Sequence, residues 1–163
     1  MRDIAEDQGG VAGAAELPVV ARGLTKRFGS VTAVDRLDFS IEPGSTVALL
    51  GGNGAGKTTT IAMLLGLIRP TAGEVRIFGV NVARSRYVVA QRMNFQSPYV
   101  DLPQRLTVRQ NLTVYAGLYG IANAHARIAS VATQLQIEAL LDRPTGKLSA
   151  GQKTRVGLAK ALL

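Results

Sequence analysis

The sequence predicts an α/β fold whose first half is mainly strand and whose second half is mainly helix. Three observations carry this reading. Short β-type segments bounded by turns fill the stretch up to residue 50, a strand, a glycine-rich loop and a helix follow one another over 46–68, and helical stretches opened by capping residues run from residue 107 onward. With 163 residues, 47% of them apolar, the chain can bury a sizeable core, and it reads as one domain.

The elements justify themselves in order. Residues 1–17 mix Gly and Ala with Asp3, Glu6 and Asp7 and show no periodicity, which predicts a disordered leader outside the fold. Residues 19–24 and 37–41 are β-type segments closed by the turn Glu42-Pro43-Gly44, and they fit an antiparallel edge sheet. The apolar run at 46–50 reads as a buried strand, and the helical stretch at 57–68 is halted by Arg69 and Pro70. Beyond the turn at 71–73 the sequence predicts a strand at 74–78, a weaker helical patch at 85–91 and a brief strand at 93–95. Thr107 with Gln110 makes a capping box and starts a helix that runs to about Tyr119, where Gly120 ends it. Helical stretches at 124–135 and 137–141 come next. Ser149 with Gln152 repeats the capping box, and Val156, Ala159 and Leu163 keep helical spacing to the last residue without a stop signal, which reads as a truncation.

Composition removes several function classes. There is no cysteine, so no disulfide framework and no thiolate metal or redox site is available. The acidic N-terminus has the wrong chemistry for an export signal. The longest apolar run, 61–68, contains Gly66 and falls far short of the ~18–20 residues that span a bilayer. If the protein serves a membrane, another chain crosses it. A net charge of +8 favours polyanionic partners such as nucleotides, nucleic acid or anionic headgroups, but the basic residues are scattered and read as a solvated surface with a basic bias. His125, the single histidine, lies in a polar helical stretch and reads as a surface residue.

The strongest chemical signal is Gly51, Gly52, Asn53, Gly54, Ala55, Gly56, Lys57 and Thr58, which match G-x-x-x-x-G-K-[ST] between an expected strand and an expected helix. Glycines let a backbone wrap a β-phosphate with successive N–H groups pointing inward, and the helix that follows presents its positive end. Lys57 would reach the β- and γ-phosphates of ATP, the Thr58 hydroxyl would coordinate Mg²⁺, and Thr59 would touch the α-phosphate. Many NTPase families share such a loop.

A second motif narrows the choice. Leu148-Ser149-Ala150-Gly151-Gln152 resembles the LSGGQ signature of ABC-type ATPases, at about the family's spacing from the phosphate loop, although the capping box alone accounts for Ser149 and Gln152. From about Leu17 onward the chain is similar to the ATP-binding domain of ABC transporters, nearest to the exporter ATPases that energise ABC-2-type partners. The resemblance implies a P-loop NTPase core with an N-terminal antiparallel β subdomain and an inserted helical subdomain at about 97–150. It implies that Phe28 stacks on adenine, for which only a ring face is needed, and that Gln96 contacts Mg²⁺ and the attacking water. By the same resemblance, Ser149, Gly151 and Gln152 close over the γ-phosphate held by a second ATP-binding domain, in a homodimer beneath a membrane-spanning subunit on the cytoplasmic face of the cell membrane. Ala150 departs from the family's central glycine, which would restrict backbone approach slightly.

The family's next elements, an apolar strand ending in Asp-Glu, a D-loop and a switch histidine, have no counterpart in these residues. Without the groups that support Mg²⁺ and polarise water, the chain alone is expected to be nearly inert as an ATPase, and the strand at 46–50 is expected to lack its neighbours. Two alternatives stay open: a nucleotide-binding module without turnover, and a fragment of a soluble ABC-type ATPase.

Overall fold

The computed structural model describes residues 17–97 and 101–163; the leader expected at 1–17 lies, apart from Leu17, outside them. The chain divides into two compact units, one ending at Met93 and one beginning at Asn94.

In the first unit, strand β1 (Val19–Phe28) turns at Gly29, with φ 56°, into β2 (Val31–Ile41), and the two pair antiparallel from Val19 opposite Ile41 to Phe28 opposite Val31. The other edge of β1 pairs antiparallel with β3 (Ala72–Ile77), which in turn carries the two-residue β4 (Val80–Asn81), giving the order β2-β1-β3-β4. The strands at 19–24, 37–41 and 74–78 are therefore present, the first two longer than the sequence suggested. Helices α1 (Lys57–Leu64) and α2 (Arg86–Ala90) complete the unit. Ala21, Leu24, Val75 and Ile77 from the sheet form a core with Met63, Val82 and Val89. The β1 register shifts between Ala21 and Leu24. There the Gly23 N–H donates to Asp38 Oδ1 at 2.7 Å, and the buried Thr25 hydroxyl donates to the Gly23 carbonyl while accepting from the Arg36 N–H, each at 3.0 Å.

Two expected strands are not formed. Residues 46–50 run outside any ladder, with Val47, Leu49 and Leu50 exposed at 59%, 44% and 87%. A strand persists only where a partner takes its backbone donors and acceptors. Both edges of β1 are already used, and among the described residues nothing pairs with 46–50. Residues 93–95 likewise carry no ladder. Helix α1 stops before residue 68 because Gly66 closes it: the Gly66 N–H returns to the Met63 carbonyl at 3.0 Å and the Leu67 N–H to the Ala62 carbonyl at 2.8 Å.

The second unit packs α3 (Val108–Leu118), α4 (Ala124–Gln134) and α5 (Ala150–Leu162) around Val108, Leu112, Ile128, Val131, Ile137, Leu148 and Val156. The helical stretch expected at 137–141 is a single 3-10 turn, Glu138–Leu140. Both capping boxes form: Thr107 and Gln110 exchange bonds of 2.9 and 3.1 Å, and Ser149 and Gln152 bonds of 2.9 and 3.3 Å. Buried Asn111 donates from Nδ2 to the Pro103 and Thr107 carbonyls, both at 3.1 Å, and the Thr145 hydroxyl donates to the Pro103 carbonyl at 2.7 Å. This cluster ties the start of α3 to the segment that leads into α5. On the surface, the Arg109 guanidinium grips the Asp142 carboxylate in two bonds of 2.9 and 3.1 Å and holds its pKa below the usual value. Because both partners are solvated, that pair adds little to stability.

Replacing Thr145 by Val keeps its shape and removes the hydroxyl, leaving Asn111 Nδ2 as the remaining donor to the Pro103 carbonyl in a partly buried setting. The expected cost is about 0.5–1.5 kcal/mol, read from the denaturant midpoint; a shift within error would show that the cluster is not a structural tie. Replacing Leu49 and Leu50 by Ser should reduce self-association in light scattering, and unchanged scattering would remove the exposed run at 46–50 as its cause.

Candidate functional site

Residues 51–56 form a glycine-rich turn that enters α1 at Gly56. That residue has φ 79°, and a Cβ placed on it would lie 2.2 Å from the Ala33 carbonyl oxygen and 3.0 Å from Val34 Cγ2. Only glycine satisfies both the dihedral and the space, so the end of the loop is seated directly on β2. Lys57 folds back across the turn, and its Nζ donates to the carbonyls of Gly51 and Gly52, each at 2.7 Å. Within the loop the Ala55 N–H meets the Gly52 carbonyl at 3.3 Å. Gly51, Gly52, Asn53, Gly54, Ala55 and Thr58 are exposed, and Thr59 is half-buried. Thr60, which the motif does not include, is buried and donates its hydroxyl hydrogen to the Gly56 carbonyl at 3.0 Å, locking the first turn of the helix. Helix α1 begins with no side-chain cap and no acidic residue in its first turn. Its leading N–H groups and the Lys57 ammonium thus give this end of the helix a positive, solvent-exposed face.

Phe28 ends β1 and is 50% exposed, so it is not a core residue. Lys26 Nζ stands 5.0 Å from its ring centroid while donating to the Arg69 carbonyl at 2.9 Å. Phe28 pairs with Val31, and Ala33, two residues along β2, supplies the carbonyl beneath Gly56. The sheet register therefore brings the aromatic ring and the glycine loop to one end of the unit.

The second unit holds the other residues singled out from sequence. Ser149 and Gln152 spend their side chains on the capping box that begins α5. Ala150 and Gly151 are exposed, and a Cβ at Gly151 would meet nothing within 4 Å, so packing inside this chain does not require a glycine there. Gln96 lies against the middle of α5. A Cβ on Gly157 would come within 2.9 Å of its Cδ and Nε2, its Nε2 donates to the Ser97 carbonyl at 3.1 Å, and its Oε1 is buried with no hydrogen-bond partner among the described residues. Sequence reasoning did not find Gly157, because a glycine in a helix gives no sign of which distant side chain needs the space. Gln96 and Gly157 line a cleft of about 330 Å³ with Asp101 and Lys153, whose charged groups are 4.0 Å apart.

Comparison with known proteins follows from this geometry. The family model described as ABC transporter matches residues 34–163. The chain belongs to the ABC transporter family. Among curated relatives, the bacitracin transport ATP-binding protein of Bacillus licheniformis is 40% identical over 140 residues, covering 86% of this chain and 45% of that protein. The Nod factor export ATP-binding protein I of Burkholderia lata is 38% identical over 148 residues, covering 90% of this chain and 49% of the relative. This ABC chain thus spans about half the length of the curated relatives it matches. A solved ATP-binding subunit of an ABC transporter aligns with a TM-score of 0.74 at 26% identity, over 88% of this chain and 60% of that one. An ATP-binding cassette in its ADP conformation aligns with a TM-score of 0.76 over 91% of this chain and 65% of that one; at 22% identity it speaks to the fold alone. The family is one of ABC-type ATPases with the P-loop α/β fold, as the sequence predicted.

Gly56→Ala is expected to destabilise the chain by at least about 1–3 kcal/mol from the dihedral alone, seen as a lowered thermal midpoint. A wild-type midpoint would mean the loop is not pinned to β2. Gly157→Ala should be tolerated, because the end of the Gln96 side chain can give way, but the Gln96 amide resonances should move in nitrogen-15 spectra. Resonances left in place would contradict the close packing.

Proposed function

We propose that this chain is the ATP-binding part of an ABC transporter subunit that couples ATP binding and hydrolysis to export through a membrane-spanning partner. The observation that carries the reading is the loop: Lys57 lies across a glycine turn whose far side is the uncapped start of α1. A triphosphate entering there would exchange the Gly51 and Gly52 carbonyls for β- and γ-oxygens as acceptors for Lys57, while N–H groups of the loop and of the first helical turn take the remaining oxygens. Phe28 would lay its exposed face on the adenine.

The donor set suits a hard cation held jointly with phosphate: the exposed Thr58 hydroxyl is the protein donor beside the loop, and no group of three or more His, Cys, Asp or Glu that could hold a metal alone is present among the described residues. Mg²⁺ bound there would offset charge on the β- and γ-oxygens. Gln96 is the second donor that the family resemblance implies, and its buried, unpartnered Oε1 supports a functional carboxamide. Ser149, Gly151 and Gln152 are assigned to the nucleotide of a second ATP-binding domain. The open approach to Gly151 supports this, since nothing in its own unit occupies that space. No helix of the described residues is long and apolar enough to cross a membrane, which agrees with a subunit seated on the cytoplasmic face beneath a separate membrane partner. The names of the relatives, which refer to bacitracin transport and Nod factor export, favour export.

A second reading is nucleotide binding without turnover, which needs only the loop and the uncapped start of α1. Both readings are tested together. A fluorescent ATP analogue with Mg²⁺ should bind saturably, Lys57→Ala should weaken binding at least tenfold, and phosphate release should stay near background. A folded chain that binds nothing would overturn the nucleotide site; turnover at ordinary ATPase rates would overturn the second reading.

A further inference from the structure

The first unit contains a larger cleft than the one beside Gln96. It opens between the closing turn of α1 and the segment from Val82 into α2, encloses about 1120 Å³ counted to the open rim, and lies at the end of α1 opposite the phosphate loop. Its floor is fixed by close packing: a Cβ on Gly66 would lie 2.8 Å from Val82 Cγ1 and 3.1 Å from Arg86 Cγ. Arg69, Arg84 and Arg86 line it, and no acidic residue does. Among the described residues none of these guanidiniums has an ion-pair or hydrogen-bond partner, whereas Arg76 and Arg109 are each paired with a carboxylate. Three unneutralised guanidiniums around one concavity make a site for an anion, and their fork geometry suits phosphate oxygens. The rim is apolar. Leu67, Tyr87 and Val88 all line the cleft and are exposed, Tyr87 at 84%. Exposed arginines interleaved with an exposed aromatic and aliphatics along one cleft match a ligand that is charged at one end and greasy at the other.

We propose that this cleft binds the phosphate headgroup of an anionic phospholipid, with Leu67, Tyr87 and Val88 entering the headgroup boundary of the bilayer. The site is separate from the nucleotide loop and does not depend on its assignment. Binding is measured by co-sedimentation of the chain with vesicles of phosphatidylglycerol in phosphatidylcholine, against vesicles of phosphatidylcholine alone. The chain should bind the anionic vesicles, and Arg69→Gln with Arg84→Gln should weaken binding at least tenfold. Arg105→Gln with Arg143→Gln, which removes the same charge from exposed positions of the second unit, should change it less than threefold, and Lys57→Ala should leave it unchanged. Thermal midpoints check that each variant is folded, and the single Arg84→Gln, at an exposed side chain without partners, should still show a measurable loss.

Equal losses in the two double variants would overturn the proposal in favour of diffuse attraction by net charge. So would equal binding to both vesicle types. Displacement by inorganic phosphate at concentrations that leave ionic strength unchanged would reassign the cleft to a free phosphate, and binding of an acidic amphipathic peptide without binding of anionic vesicles would reassign it to a protein partner.

Discussion

The two-sided pairing of β1 is the constraint on which the first unit rests. Because β1 gives one edge to β2 and the other to β3, β2 cannot drift, and the Ala33 carbonyl is a fixed point under Gly56. From that point follow the direction in which α1 leaves the loop, the side on which its leading N–H groups lie, and the position from which Lys57 reaches back to Gly51 and Gly52. The same register delivers Phe28 to that end of the sheet. A short backbone contact between a strand and a loop thus sets the geometry of an anion cradle several residues away.

The second unit achieves its order with polar groups at helix starts. Capping boxes at Thr107 and Ser149 and the Asn123 side chain at α4 each satisfy backbone donors that would otherwise be unpaired. Asn111 and Thr145 then tie the start of α3 to the segment that leads into α5 through the Pro103 carbonyl. The first turn of α5 stays open to its surroundings while the middle of the same helix is occupied by Gln96. One helix therefore contributes two unlike surfaces, a bare polar start and a notch cut to receive a carboxamide.

What could be read from the residues follows from the range of the interaction involved. The phosphate loop and both capping boxes were legible because each depends on residues within a few positions of one another, and each appears where expected. The helix expected to reach residue 68 was overextended because apolar spacing continued past Gly66, whose closing bonds to Met63 and the adjacent Ala62 end it. The strands expected at 46–50 and 93–95 failed for another reason: an apolar run reports a tendency to be buried, while a ladder needs a partner that the run itself does not encode. Phe28 stands exposed at the end of β1, and nothing local in the sequence separates a stacking ring from a core one. The seat of Gly56 on β2 and the notch at Gly157 are contacts between distant residues, and no local pattern announces them.

Each unit has its own core, one built on the sheet around Leu24 and Met63, the other on the helices around Leu112 and Val131. Separate cores give each unit its own source of cohesion. Probes on Tyr119 and on Tyr87 therefore report on different units, each with its own buried cluster. A substitution in one core removes contacts from that unit's cluster, so the side chains that support the phosphate loop and those that pack the helices are distinct sets.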